Sequence, residues 1–265
     1  MKKVLLSFDI EEFDIPLEYG MSLPLKEQIG VSIEGANVIL KILRENEIKA
    51  TFFSTVVFAS HAPEVIQRIG NEGHELASHG YFHSTFQNSH LAESKTELER
   101  LSGVSITGFR RARMMPVDIQ EIQKAGYLYN SSLNPVYLPG RYNNFFKPRT
   151  SFMEQSVMQI PASATPFIRF PLFWLSFHNL PLRIYKTACA HTINFDSYLN
   201  IYFHPWEFTD LTNLSYGLPK FISKNSGDKM ITRFSNLIRW MKKKGYSFNT
   251  FHEFVVSKSP GIDVR

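Results

Sequence analysis

The stretch Val4-Leu5-Leu6-Ser7-Phe8-Asp9-Ile10-Glu11-Glu12 decides how the chain is read. A short apolar run from Val4 to Phe8 gives way to acids at Asp9, Glu11, Glu12 and Asp14. That is the pattern of a covered strand emerging into a polar cleft. Asp9 interrupts the run before it reaches the length of an export segment, so it reads as a buried first strand. Asp9 and Glu11 are two residues apart and share a face on a continuous strand, whereas Glu12 points elsewhere unless the strand has ended.

Working outward, Ala36, Ile39, Leu40 and Leu43 give helical spacing over Val31 to Asn46, and Ala50 to Ala59 reads as a second strand. A helix follows from Pro63 through Val65, Ile66 and Ile69, delivering the chain to His74 and then His79. Leu91 to Leu101 reads as a helix, Ser105 to Arg110 as a strand, Val117 to Ala125 as a helix stopped by Gly126, and Tyr127 to Ser131 as a strand. Seven prolines from Pro135 to Pro181 break up Leu133 to Ile184, which is expected to form long loops, with short strands near Val157 to Ile160 and Phe167 to Phe170. Leu199 to Phe203 is a clear strand, and Asp228 to Lys244 reads as the last helix. The alternation implies an α/β fold, a parallel sheet or (β/α) barrel with its chemistry at the C-terminal strand ends. No repeat or linker divides it, so residues 1–265 are expected to form a single catalytic domain.

Composition narrows the classes. At 43% hydrophobic and 20% charged the 265 residues are those of a globular chain, and a net charge of +5 is too modest to imply a nucleic-acid partner. The lone Cys189 excludes an internal disulfide and any multi-cysteine metal site, which suits the cytoplasm. Pro166 to Tyr185 carries Arg169, His178, Arg183 and internal prolines, so no integral membrane segment is expected there.

His79-Gly80-Tyr81-Phe82-His83 places two imidazoles four residues apart, able to reach one ion from a helical turn or a loop that mimics it. Two histidines and a carboxylate leave an open coordination position, which a hydrolytic metal needs. Of the strand-end acids, one can bind that metal while another handles a proton. Arg110 ends its strand and can hold a carboxylate base ionised; His204, before Pro205, suits a general acid, and Trp206 a cleft wall. Arg110, Arg111 and Arg113 form a local basic patch.

These motifs, with Gly108-Phe109-Arg110, Gly126 to Ser132 and Tyr202-Phe203-His204-Pro205-Trp206-Glu207, resemble the polysaccharide deacetylases of carbohydrate esterase family four, the NodB-homology group. The resemblance implies a distorted barrel of seven parallel strands and hydrolysis of a carbohydrate N-acetyl group by metal-activated water. It carries the family's base onto Asp9, its orienting arginine onto Arg110 and its acid onto His204. The metal, expected to be zinc, falls to Glu11, His79 and His83, with Glu12 a rival to Glu11. Tyr81, Arg111 and Trp206 are expected to face substrate. Two departures stand out: Arg111-Ala112 replaces the family's usual proline-containing sequence, and Asn130 stands where an aspartate commonly tunes the acid histidine. The expected partner is a carbohydrate or a small amide. The alternatives are an amidohydrolase of a cyclic amide or ureide, and a catalytically silent glycan-binding protein.

Overall fold

The computed structural model describes residues 2–258. Its strands are β1 (Lys3–Ile10), β2 (Thr51–Ser54), β3 (Glu75–Ser78), β4 (Gly108–Phe109), β5 (Tyr129–Asn130), β6 (Tyr137–Leu138), β7 (Tyr142–Asn143), β8 (Phe152–Glu154), β9 (Val157–Gln159), β10 (Tyr198–Phe203) and β11 (Ser247–Asn249). One sheet of nine runs in the order β10-β1-β2-β3-β4-β5-β9-β8, with β11 also paired to β1, while β6 and β7 form a separate hairpin. Along that order the pairings are parallel until β8, which runs antiparallel to β9.

The α/β fold is as expected, but in place of a distorted barrel of seven parallel strands the sheet is curled, not fully closed and mixed. Among the described residues no strand pairing joins β8 to β10. The chain beyond β9 closes the gap through one residue: Ser163 N–H donates to Asn200 O at 2.9 Å, and the Asn200 amide donates to the carbonyls of Ile160 and Pro161. These are single hydrogen bonds, not a ladder.

Strand β1 shows why the fold works. Val4, Leu6, Phe8 and Ile10 join the outer apolar core beneath the helices, and Leu5 joins Phe53, Ala77, Tyr129 and Phe251 in a separate inner cluster. The period of two therefore leaves Leu5, Ser7 and Asp9 on the inner face, apolar at one end and polar at the other. Helix Leu25–Glu45 covers the outer face and packs on the turn Pro205–Phe208, where a side chain at Gly35 would collide with the Pro205 carbonyl.

Three segments depart from the sequence reading. Strand β2 stops at Ser54 because the Thr55 hydroxyl accepts the Phe58 N–H at 3.0 Å and caps helix Val56–His61. Phe167 to Phe170 forms a turn, and the proline-broken region holds the helices Trp174–Asn179 and Leu182–Asp196, with Pro181 immediately before the second. Beyond Asp228–Lys243 the chain adds β11 and helix Phe251–Lys258. Among the described residues no helix is long and apolar enough to cross a membrane.

Candidate metal centre and active site

The C-terminal ends of β1, β3 and β10 bring Asp9, Glu11, His79, His83, His204 and Trp206 to one cavity of about 250 Å³, and Arg110, at the end of β4, stands behind Asp9. Glu11, just past β1, lies with its Oε2 3.0 Å from Nε2 of both His79 and His83. All three residues are buried, and their ligand atoms lie within 4.8 Å of one another. Glu11 Oε2 and His79 Nε2 nevertheless find no partner in hydrogen-bonding geometry. Buried orphan atoms of this chemistry, an imidazole nitrogen and a carboxylate oxygen beside a second imidazole, fit a divalent ion. The histidines sit on an irregular loop turned by Gly80 (φ 94°), not on a helix.

Charge around this cluster is strongly coupled. Burial alone would raise the Glu11 pKa, but the neighbouring imidazoles, His83 foremost, hold it down to about 2. Burial opposes a charged His83, yet Glu11 and Asp14 raise it to about 9. Asp14 Oδ1 lies 2.8 Å from His83 Nδ1, on the far side of the ring, an ion-pair contact outside hydrogen-bonding geometry, in the position from which a carboxylate supports a ligating histidine. Glu12 points away: its Oε2 accepts the Thr55 hydroxyl at 2.6 Å, and burial raises its pKa.

Asp9 meets a fully buried guanidinium. Arg110 Nη1 donates to Asp9 Oδ1 at 2.5 Å and to Ser7 Oγ at 2.9 Å, and the rest of its fork is taken by Ser131. The Phe53 ring lies 4.0 Å from the guanidinium carbon. Every direction in which Arg110 could move is thus occupied. Asp9 Oδ2 and Glu11 Oε1 each lie 4.0 Å from His204 Nε2, so the three converge on one small volume.

The tuning of His204 corrects the sequence reading. Asn130 does not approach it; its amide donates to Gln159 Oε1 at 2.8 Å and accepts from Ser132. Glu207 takes the expected place, with Oε1 2.9 Å from His204 Nδ1 and Oε2 2.8 Å from His178 Nε2. Burial lowers the His204 pKa and is overcome, chiefly by Glu207, so that the net shift is upward. Glu207 itself is held below the usual carboxylate range, because the two imidazoles outweigh its burial. Its place three residues after His204 was a readable signal; His178, from the proline-broken region, offered none.

Of the residues expected to face substrate, Trp206 lines the cavity and stacks on His204 with ring centroids 4.6 Å apart. Tyr81 and Arg111 lie outside the lining: Tyr81 packs on Phe82, and Arg111 stacks on Phe86 and donates to the Pro116 carbonyl. The walls are instead Tyr19, Arg113, Arg141, Tyr142 and Trp174. Trp174 stands edge-on to His204, 5.5 Å between centroids.

Fold and site together define the class, an α/β protein with a buried carboxylate and histidine site for a metal ion at the ends of its strands. Residues 27–126 match the model of the family described as polysaccharide deacetylase. It is 32% identical over 69 residues to a peptidoglycan-N-acetylglucosamine deacetylase of Bacillus cereus, a match that spans 26% of this chain and 25% of that protein. In fold it is similar to a "probable Polysaccharide deacetylase" from Pseudomonas aeruginosa PAO1 (TM-score 0.70, 14% identity, 99% of this chain and 92% of the other). It is likewise similar to Puue allantoinase (TM-score 0.67, 14% identity, 99% and 92%).

Proposed function

We propose that residues 1–265 act as one catalytic domain, a metal-dependent hydrolase that removes N-acetyl groups from a carbohydrate. The observation that carries this reading is the convergence of the Glu11, His79 and His83 cluster with Asp9 and His204, each held from behind by its own buried partner. The donor set suits zinc, which when bound supplies Lewis acidity to a carbonyl and lowers the pKa of water. Asp9, ion-paired with and oriented by Arg110, takes the water proton. His204 presents Nε2 to the cleft while Glu207 fixes Nδ1, so the ring can hand a proton to the departing amine. Products are acetate and a free amino sugar. Trp206, Trp174 and Tyr142 supply aromatic wall for a sugar face. The single buried cysteine suits a reducing compartment and supports a cytoplasmic setting.

Hydrolysis of a cyclic ureide is a second reading, favoured by the likeness to an allantoinase along 99% of this chain. Acetate release from N-acetylated amino sugars and chitooligosaccharides, assayed with zinc-loaded protein beside a cyclic-ureide panel, separates the two. Asp9→Asn should abolish turnover and leave zinc content unchanged. Wild-type activity in that variant would remove Asp9 from the mechanism, and absence of bound zinc in the wild type would remove the metal centre.

A further inference from the structure

A second surface, apart from the cleft, is built from segments the proposed reaction does not use. Thr165 to Phe170 forms a turn tied at its base: Thr165 N–H donates to Phe170 O at 2.9 Å, Arg169 N–H to Thr165 O at 3.1 Å and Phe170 N–H to Thr165 Oγ1 at 2.9 Å. Phe167 and Arg169 adopt left-handed backbone, φ 65° and 51°, which is costly for bulky side chains. The strain displays apolar groups instead of hiding them, for Phe167 and Ile168 are each 77% exposed.

Neighbouring segments extend this tip into a patch. Arg169 Nη1 donates to the Lys147 carbonyl at 2.6 Å, and its guanidinium lies 5.3 Å from the Phe145 ring, which adjoins Phe146, 96% exposed. On the other side the Phe167 ring lies 5.6 Å from Phe195, 59% exposed, and the Arg149 guanidinium lies 5.7 Å from that same ring. Phe146, Phe167, Ile168 and Phe195 are therefore edged by Lys147, Arg149 and Arg169. Among the described residues only Arg149 of these cations has a carboxylate partner, Asp196.

We propose that this face docks on an anionic lipid bilayer, with Phe167 and Ile168 entering the interface and Lys147 and Arg169, which have no carboxylate partner among the described residues, meeting lipid phosphates. Apolar area combined with cations is the chemistry that holds peripheral proteins at such surfaces. A protruding apolar tip whose backbone is already ordered enters a soft interface without further ordering cost. A second copy seated on the same face is disfavoured by charge, because a two-fold contact would set the cations of one copy against those of the other.

Flotation of the full chain with phosphatidylcholine vesicles, with and without about 30% phosphatidylglycerol, tests the proposal. Binding should be about tenfold tighter to the anionic vesicles and weaken as salt rises. The double variant Phe167→Ser, Ile168→Ser should lose about tenfold in binding at unchanged melting temperature. Lys147→Glu, an exposed change that serves if the double variant misfolds, should lose about fivefold or more on anionic vesicles only. Failure of the wild type to bind anionic vesicles, or equal binding by folded variants, overturns the proposal. So does a concentration-dependent dimer that the double variant disperses while vesicles go unbound, which would give the face to a second copy.

Discussion

Replacing Glu207 by Gln tests the acid half of the site, because the two side chains share a shape and differ in charge. Glu207 Oε1 lies 2.9 Å from His204 Nδ1 and also accepts the His204 N–H at 2.6 Å, so the amide oxygen of Gln can keep the local turn. What it loses is the charge that favours imidazolium. A hydrogen bond to a charged partner contributes about 1.5–3 kcal/mol and a neutral one about 0.5–1.5 kcal/mol. The exchange withdraws about 1.4 kcal/mol, equivalent to about one pKa unit. Glu11 and Asp9 also raise the His204 pKa and remain in place, which limits the shift to that order. The proposed acid works only when protonated, so activity persists up to the raised pKa and falls above it. In Glu207→Gln the alkaline limb of the kcat profile should move down by about one pH unit, with kcat reduced about tenfold at pH values above both limbs. Acetate release across pH, beside thermal melting, reads both. A loss of kcat with the alkaline limb unmoved would refute the reasoning, since it would make Glu207 a packing residue alone. Asn130→Asp, by contrast, should leave the profile where it is, because Asn130 is engaged by Gln159 and Ser132.

Asp14→Asn should weaken zinc affinity by about 10–100-fold in a chelator competition, since Asp14 backs His83; equal affinity would show that His83 needs no support. His74 is buried with both ring nitrogens unpartnered, and burial, then Lys49, depresses its pKa to about 4 from an ordinary 6.5. Its contribution is therefore complete above pH 6.5 and is lost as pH falls towards 4, up to about 3 kcal/mol. Melting of His74→Leu against pH should be flatter over that window, and identical slopes would contradict the assignment. Gly35→Ala should cost about 1–3 kcal/mol and lower turnover by displacing the turn that follows His204, whereas Gly30→Ala on the same helix meets open space and should stabilise by about 0.5–1 kcal/mol; denaturant melts that failed to separate them would refute the packing argument.

The candidate metal ligands and the neighbouring Asp9 and His204 were legible because they lie at strand ends marked by abrupt changes from apolar to polar sequence. Asp9 and Glu11 follow the apolar run of β1, His79 follows β3 and His204 follows β10. Local pattern is enough there, since the parallel sheet gathers strand ends whatever the intervening loops do. Sequence was less informative where long-range packing decides. The Ala50 to Ala59 run is β-branched and aromatic throughout, and only the cap at Thr55 converts its second half to helix. Tyr81 and Arg111 adjoin site residues in sequence but face outwards. Arg141, Tyr142 and Trp174 come from the proline-broken region, whose path depends on contacts with β10 and β1 that no local period encodes.

The inner face of the sheet explains why a charged pair can stand in such a place. Removing Asp9 and Arg110 from water carries a cost of several kcal/mol per ion, which their mutual attraction alone need not recover. Ser7, Ser131 and Asn200 form a buried polar layer beneath them, and that layer supplies the remaining hydrogen bonds: Ser131 Oγ accepts from Arg110 at 3.1 Å and from Asn200 Nδ2 at 3.3 Å, and donates to Ile160 O at 2.8 Å. The same Asn200 ties the curled sheet together across its open edge. Orientation of the proposed base and closure of the sheet thus run through one network. A change at Asn200 should therefore loosen both at once: Asn200→Ala leaves the Pro161 carbonyl without its buried donor, a loss of about 1–3 kcal/mol, and leaves Ile160 O with the Ser131 hydroxyl alone. Turnover should fall together with stability, although Asn200 touches neither the cavity nor any residue of the metal cluster. Full turnover in a destabilised Asn200→Ala protein would show that Arg110 is held by packing on Phe53 and Tyr202 and that the polar layer serves the fold only.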